Sequence, residues 1–310
     1  MTLPTLPTTH VSFPAGAVTG ESPVLAVHPL ADGRHAVVTA ATPFHPLDHT
    51  WPDQPADTGT LTVDGTRLPV VDCLTGAVGP DGAVSTDGAI GTDGGILVGA
   101  DIPVRRGDEA WSWLVLHVLA GDPGDITGRT AALAVDTDRR AALSASHTGC
   151  HLLALALNAA LAPRWRKDPG RADAFGSPDF DSLAMASSVM DAEASTDTYR
   201  LGKSLRKKGF STEATDELPA LADALPALTA TVNDLLAGWV AADAPVRIET
   251  PGPELTARRR WLCELPDGPA AIACGGTHLH RLGELAELCT ELRLSEDGSE
   301  LTAVTRPKRA

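Results

Sequence analysis

Four side chains in the second half of the sequence have the chemistry and the spacing of ligands to one divalent metal ion. The first two are His147 and His151, which are four positions apart. On a helix, residues at this spacing lie on one face about one turn apart, so both imidazoles can reach a single ion. Taken alone, the pair is also what two unrelated histidines would give.

The second pair lies in the run AIACGGTHLH, where Cys274 and His278 flank a Gly-Gly turn at the end of an apolar stretch. Glycine permits the tight backbone path that points a thiolate and an imidazole in the same direction. One thiolate and three imidazoles suit zinc better than magnesium or calcium. The sequence therefore predicts a Zn²⁺ site built from His147, His151, Cys274 and His278. Four protein ligands leave open whether the site is structural or keeps a further position for water.

The elements that would position these ligands follow a change in character near Asp136. An apolar-rich segment from Asp138 to Leu161 stops before Pro163 and predicts the helix that carries the two histidines. Ala270–Cys274 predicts a strand that ends on the cysteine. The same part of the chain predicts one or two helices over Asp216–Ala241, interrupted at Pro219 and Pro226, strands at Pro245–Glu249 and Arg260–Leu265, and a hairpin over Glu291–Val304.

The first 135 residues are rich in short β-prone runs separated by Gly, Pro and Asp. A Gly/Asp-rich stretch between Gly76 and Gly95 predicts a hairpin or exposed loop. The predicted fold class is therefore α+β, with a small β-barrel or a compact set of antiparallel sheets at 1–135 and a mixed α/β metal-binding domain at 136–310. The strands predicted in the first domain are Val24–Val27, Ala36–Ala40, Thr60–Val63, Leu68–Val71, Ile96–Val98 and Trp113–Leu119.

Composition excludes several classes of protein. The chain has 310 residues, 43% hydrophobic and 21% charged, which is typical of a globular protein. No stretch approaches the roughly 18 apolar residues of a membrane helix, and the first 20 residues do not resemble a signal peptide, so a cytoplasmic location is expected. Five scattered cysteines argue against a disulfide framework. A net charge of -15 counts against non-specific coating of nucleic acid, although a local basic patch remains compatible with it.

Several segments resemble the alanyl-tRNA editing domain. HTGCHLLALALNAAL resembles the HxxxH helix of that family, and CGGTHLHRLGEL resembles its CGGTH element. VDTDRR, ending at Arg140, fits the family's approach to the metal helix. TPFHPLDHTWPDQPADTGTL resembles the N-terminal motif. The order and spacing match over most of the chain, and neither an aminoacylation domain nor an ATP-binding P-loop is found. As a whole the chain resembles a free-standing AlaX-type protein, similar to the editing domains of alanyl-tRNA and threonyl-tRNA synthetases. The resemblance implies a β-barrel-like N-terminal domain followed by a two-layer α/β editing domain with a metal site.

This resemblance implies metal-dependent hydrolysis, in trans, of the ester in mischarged tRNA-Ala carrying serine or glycine. It makes Gln54 the candidate catalytic residue, which would orient substrate or water; the alternative is a loop glutamine that caps backbone groups. Asp57 is interpreted as a turn or cap residue. The chain departs from the family where Trp51-Pro52-Asp53 replaces the usual Gly-Gly and where His45 replaces a tyrosine. This departure leaves the aminoacyl preference undetermined.

A basic cluster follows the resembling helix and belongs to no motif of the family. It contains no acidic residue and could hold tRNA phosphates, and Arg258, Arg259 and Arg260 could extend it. The alternative is a solvated helix face. Two other functions remain open, namely a metal-dependent hydrolase of another small ester or amide, and a non-catalytic tRNA-binding module with a structural zinc. The oligomeric state is not predicted. The proposed tRNA-binding residues are Arg200, Lys203, Arg206, Lys207 and Lys208.

Overall fold

The structure is a computed structural model that describes residues 6–80 and 95–310. It is a mixed α/β structure, as predicted. The Gly/Asp-rich loop predicted between Gly76 and Gly95 falls mostly on residues 81–94, outside the described residues. The chain divides into two compact units. The first consists of Met1–Arg140, Glu249–Arg259 and Gly275–Thr277, and the second consists of Ala141–Ile248, Arg260–Cys274 and His278–Ala310.

The first unit is built around a seven-stranded sheet with the order β5-β9-β2-β3-β8-β6-β7. β5 pairs with β9 and also with β6, whose other half pairs with β8, so the order of pairing returns on itself. All six strands predicted in this region are confirmed. Its strands are β1 (His10–Val11), β2 (Thr19–Pro29), β3 (His35–Thr39), β4 (Ala41–Thr42), β5 (Gly59–Val63), β6 (Thr66–Val78), β7 (Leu97–Val98), β8 (Ser112–Leu119) and β9 (Thr130–Val135).

Gly59 begins β5 where two backbones approach closely. A Cβ atom added to it would lie 2.2 Å from the carbonyl oxygen of Ala134 and 2.9 Å from Cα of Val135. These are backbone atoms of the paired strand β9, and they cannot move without breaking the pairing. The glycine in the sequence Asp-Thr-Gly is therefore required by the packing of the sheet.

Replacing Gly59 with alanine is expected to lower the free energy of unfolding by about 1–3 kcal/mol or more, because the added methyl group overpacks a closely approaching backbone. Urea denaturation measures the decrease. Gly20→Ala is the matched control, since it also lies in a strand and its added Cβ would be at an ordinary 3.5 Å from Pro43. Equal stability of the two variants would contradict the prediction.

The second unit holds nearly all of the four α-helices of the described residues and two sheets, with orders β10-β11-β16-β15 and β12-β13-β14. The amide of Asn233 on α4 joins that helix to β15 by two hydrogen bonds with the backbone of Thr290. The elements are α1 (Thr137–Leu161), α2 (Phe180–Ala184), β10 (Met185–Met190), β11 (Ser195–Arg200), α3 (Lys203–Lys207), α4 (Leu221–Ala242), β12 (Val246–Glu249), β13 (Arg260–Leu265), β14 (Gly268–Ala273), β15 (Leu285–Leu294) and β16 (Glu300–Arg309).

The predicted helix at Asp138–Leu161 and the predicted strands after Pro245 are confirmed, and the C-terminal hairpin is longer than predicted. The predicted interruption at Pro226 is wrong, because α4 is one helix that passes through it. Pro226 lies in the second turn, so the missing N–H removes only one hydrogen bond, to Ala222, and most of the helix lies after it. The helix begins at Leu221, just after Pro219, as expected for that proline.

Asp181, in α2, is a largely buried carboxyl group surrounded by other polar side chains of the second unit. The hydroxyl of Tyr199 donates a hydrogen bond to it at 2.9 Å. Burial raises the pKa of Asp181 to about 7, and the nearby carboxylates of Asp197 and Asp179 add to the effect, while Tyr199 and Arg171 oppose it. The folded state therefore favours the protonated form.

We expect Asp181 to make stability depend on pH. In the unfolded chain its pKa returns to about 3.8, so the folded state holds an extra proton between pH 4 and 7 and loses stability as the pH rises through that window. The unaltered chain should lose roughly 4 kcal/mol of unfolding free energy across this window through Asp181, since one pKa unit corresponds to about 1.4 kcal/mol. Asp181→Asn cannot titrate and should not show this loss. The measurement is the difference in unfolding free energy between the two proteins from pH 4 to 8. If the difference in unfolding free energy between the two proteins does not change with pH, the prediction is wrong.

Candidate metal centre

The predicted ligand helix α1 places His147 and His151 side by side in the second unit. Their ring centroids are 4.9 Å apart, the side chain of His147 is buried, and so is the Nε2 atom of His151. Between them, Gly149 lies against the strand β15, where an added Cβ would be only 2.9 Å from Leu288. Gly149 thus permits close packing of the helix against this strand.

The other two predicted ligands come to the same place. Cys274 directly follows β14, and its Sγ lies 3.3 Å from Nε2 of His147 and 3.2 Å from Nε2 of His278. The rings of His278 and His151 are 4.9 Å apart. The donor atoms of all four residues lie within 4.8 Å of one another. Spacing in the sequence therefore identified a set of donors that the structure brings together.

The geometry fits zinc. Zn–S bonds of about 2.3 Å and Zn–N bonds of about 2.0 Å at tetrahedral angles place sulfur and nitrogen about 3.5 Å apart. The observed distances from Cys274 to two imidazoles are close to this separation. Nε2 of His151 is buried and has no hydrogen-bond partner among the described residues. Burial lowers the pKa of His151 to about 4, which keeps the imidazole neutral and able to bind a metal ion.

Thr148 supports this site by holding the ring of one predicted ligand. Its hydroxyl lies 3.3 Å from Nδ1 of His278 and accepts a hydrogen bond from the backbone N–H of Leu279 at 3.1 Å. If Nε2 of His278 is unprotonated and faces Cys274, the proton of the neutral ring is on Nδ1. That N–H can then donate a hydrogen bond to the hydroxyl of Thr148. The hydroxyl is therefore placed to accept a hydrogen bond from the tautomer of His278 that can bind a metal.

Thr148→Val is expected to weaken zinc binding about 10- to 100-fold, because it removes the acceptor that orients His278 and leaves the shape of the side chain nearly unchanged. Competition with a zinc chelator measures the affinity. Thr148→Ser keeps the hydroxyl and should bind zinc nearly as well as the unaltered chain. Equal affinities of the Val and Ser variants would contradict this role.

The four residues of the cluster differ in burial. His147 is 3% exposed, and the ring of Trp261 packs against His151 with centroids 5.2 Å apart. Cys274 and His278 are each partly exposed. Partial exposure of two of the four donors is compatible with access of water or a small molecule to the cluster.

Gln54, the candidate catalytic residue, lies buried in the first unit. Its Nε2 donates to Oγ1 of Thr277 at 2.8 Å, and its Oε1 accepts from the backbone N–H of Thr277 at 3.0 Å. These are the contacts of the alternative interpretation, in which the amide caps backbone groups. Thr277 is the residue before His278 in the chain. A role in orienting substrate or water stays a prediction.

Asp57 is part of a buried ion pair that the sequence did not reveal. It is 1% exposed, and its carboxylate accepts hydrogen bonds from Nε and Nη2 of Arg140 and from the backbone N–H of His45. Arg140 also donates to the carbonyl oxygen of Pro43 at 2.7 Å. Asp57 is thus a structural residue of the first unit. The motif VDTDRR contained Arg140, but its partner lies 83 positions away.

All five predicted tRNA-binding residues are exposed in the second unit, at the end of β11 and on α3. The described ion pairs include none of them. Arg166 and Lys167, which were not predicted, lie beside this group, because Trp165 bridges to Phe210 and the N–H of Arg166 donates to Gly209. We call these seven residues the basic ridge: Arg166, Lys167, Arg200, Lys203, Arg206, Lys207 and Lys208.

Arg259, considered as an extension of this surface, is not available for such a role. It is 4% exposed and belongs to the first unit, where its guanidinium donates to the carbonyl oxygens of Glu254 and Leu255. Burial lowers its pKa to about 10. The prediction that Arg259 extends the tRNA-binding surface is therefore wrong. Arg258 and Arg260 are exposed, and for them it stays a prediction.

No model of a known protein family matches the chain, and no curated protein matches it either. The likeness to alanyl-tRNA editing proteins therefore depends on the motifs themselves. Among the helices that the structure describes, none has the combination of length and apolar character needed to cross a membrane.

Proposed function

We propose that the chain is a zinc-dependent hydrolase that removes serine or glycine from mischarged tRNA-Ala in trans, in the cytoplasm. The observation that carries the proposal is the cluster of His147, His151, Cys274 and His278, whose donor atoms lie within 4.8 Å of one another and which is partly open to solvent. The motifs on which these residues lie support the choice of substrate. We further propose that the seven-stranded sheet of the first unit closes as a barrel-like domain, which its circular order of pairing supports.

The chain's own residues have separable tasks in this proposal. A zinc ion bound there would supply a Lewis acid that polarises an ester carbonyl or lowers the pKa of water. His147 and His151 hold the buried side of the site as neutral imidazoles, and Thr148 keeps His278 in the binding tautomer. The exposed side, at Cys274 and His278, sets the direction from which the aminoacyl end of the tRNA enters.

The basic ridge supports RNA as the partner. Its seven cations are all exposed within a chain of net charge -15, and Glu213, Asp216 and Glu217 lie near its Arg166 end among the residues that line one cavity. Arginine and lysine without carboxylate partners are the groups that bind phosphates. Neutralising five of them should make tRNA binding less sensitive to salt. In a plot of log affinity against log salt concentration, the slope should become shallower by roughly 0.7–0.9 for each phosphate that the variant no longer binds.

The deciding experiment is deacylation of Ser-tRNA-Ala and Gly-tRNA-Ala by the zinc-loaded chain, with correctly charged Ala-tRNA-Ala as the comparison. We expect turnover of the mischarged esters, its loss in His147→Ala, and no change in His280→Ala, which alters an exposed histidine outside the metal cluster. The same assay with Gln54→Ala and Gln54→Glu tests the catalytic role of that amide. Turnover that survives in His147→Ala would overturn the proposal.

Two other functions are favoured by particular observations. Four protein donors can fill a tetrahedral zinc ion, which favours a structural zinc in a non-catalytic tRNA-binding module. The unusual loop before Gln54, with Trp51 45% exposed, favours a hydrolase of another small ester or amide. Binding of tRNA without turnover would support the first, and turnover confined to other esters would support the second.

A further inference from the structure

A cavity in the second unit, separate from the metal cluster, encloses about 310 Å³ and carries charged groups of both signs. Arg164 and Arg166 line it together with Ser211, which accepts a hydrogen bond from Nη2 of Arg166 at 2.8 Å. The backbone N–H of Ser211 donates to the carbonyl oxygen of Arg164 at 3.0 Å, so the two segments are joined. The acidic residues that line it are Glu213, Asp216 and Glu217.

Arg164 is the unusual member of this group. Its residue is 4% exposed, yet its guanidinium has no carboxylate partner among the described ion pairs. Nη2 donates to the carbonyl oxygen of Pro219 at 3.2 Å, whereas Nη1 is buried and has no hydrogen-bond partner in the described part of the chain. A buried guanidinium without a counter-charge is costly. An anionic group from outside the chain would remove that cost.

The acidic residues that line the cavity argue against a simple anion as its ligand. Glu213, Asp216 and Glu217 are exposed, and none of them takes part in an ion pair that the structure describes. The loop that carries them is held in shape, because the hydroxyl of Thr215 accepts hydrogen bonds from the backbone N–H groups of Glu217 and Leu218. Three carboxylates at the rim would repel a polyanion such as RNA and attract a cation.

We propose that this cavity binds a small zwitterion of the α-amino acid type, with its carboxylate at Arg164 and its ammonium group at the acidic rim. The volume of about 310 Å³ lies at the small end of ligand pockets, which suits a ligand of few heavy atoms. Charge-assisted hydrogen bonds to guanidinium supply the affinity for the carboxylate. The rim carboxylates supply selectivity against acids that lack an amine. The site is distinct from the zinc ligands and does not depend on the proposed hydrolase activity.

Isothermal titration of the full chain with glycine, L-alanine and L-serine tests the proposal, and acetate, methylamine and inorganic phosphate are the single-charge comparisons. Because amino acids can also bind zinc, the titration is repeated on His147→Ala, where saturable binding should persist. Arg164→Met should weaken binding at least about tenfold, the effect of losing a charge-assisted hydrogen bond. Arg200→Met, which removes an exposed arginine that does not line the cavity, should leave binding unchanged.

A second variant separates loss of binding from loss of folding. Changing Glu213, Asp216 and Glu217 to their amides alters exposed positions only, and it should weaken amino acid binding while acetate binding is unchanged or improved. The proposal is overturned if none of the three amino acids binds saturably, if acetate or phosphate binds as tightly as they do, or if the amide variant binds them as well as the unaltered chain.

Discussion

Protein in which Cys274 is replaced by alanine is expected to retain less than about a tenth of the zinc carried by the unaltered chain after dialysis, because a ligand contributes more to affinity than the 10- to 100-fold of a supporting hydrogen bond. Cys274 is the only sulfur of the cluster, and it lies within 3.3 Å of two of the imidazole nitrogens. Its loss leaves three imidazoles and an empty position beside them.

The measurement is the zinc content of purified protein by elemental analysis, together with the melting temperature with and without chelator. Cys289→Ala is the matched control, since Cys289 is exposed on β15 and donates a hydrogen bond to Glu287. The unaltered chain and this control should lose thermal stability when chelator is added, whereas Cys274→Ala should respond little. A full complement of zinc in Cys274→Ala would remove this residue from the site.

The second large effect concerns the ion pair of the first unit. Asp57→Asn is expected to lower the free energy of unfolding by about 3–5 kcal/mol, because it leaves the buried guanidinium of Arg140 without its counter-charge. Asp57 and Arg140 are 1% and 5% exposed. The missing carboxylate also accepts the backbone N–H of His45, so the loop before Gln54 should loosen as well.

Chemical denaturation of the two proteins measures this decrease. The chain contains a suitable control in the ion pair between Asp64 and Arg129, whose side chains are 65% and 59% exposed. Solvent screens such a pair, so Asp64→Asn should change stability by less than about 1 kcal/mol. If the two variants are destabilised by similar amounts, the buried pair does not have the structural importance assigned to it.

Local patterns in the sequence were sufficient for the metal ligands. The i and i+4 spacing of His147 and His151 fixes their common face once a helix forms, and the Gly-Gly turn constrains Cys274 and His278 in the same way. The helix itself was predictable because α1 is long, apolar and ends before a proline. Bringing the two pairs together needed the structure, since 123 positions separate His151 from Cys274 (274 − 151).

Contacts between distant segments left no signal in the sequence. The pairs Gln54–Thr277 and Asp57–Arg140 are 223 and 83 positions apart, and neither residue type nor spacing indicated them. Strands β9, β10 and β11 were also missed. Alanine, which is depleted in strands, makes up half of β9, and β10 and β11 are rich in serine and threonine. The sequence also did not indicate that Arg164 is buried without a carboxylate partner among the described ion pairs.

The circular order of pairing in the first unit has a consequence for how the protein behaves at high concentration. An open sheet presents the unpaired N–H and C=O groups of its outermost strands, which can recruit strands from other molecules and begin aggregation. Here β5 has partners on both sides, in β9 and β6. Within the described part of the sheet, the remaining outer strand is β7, which has only two residues. Pairing of β5 on both sides thus leaves only a very short outer strand in the described part of this sheet, which disfavours edge-to-edge association.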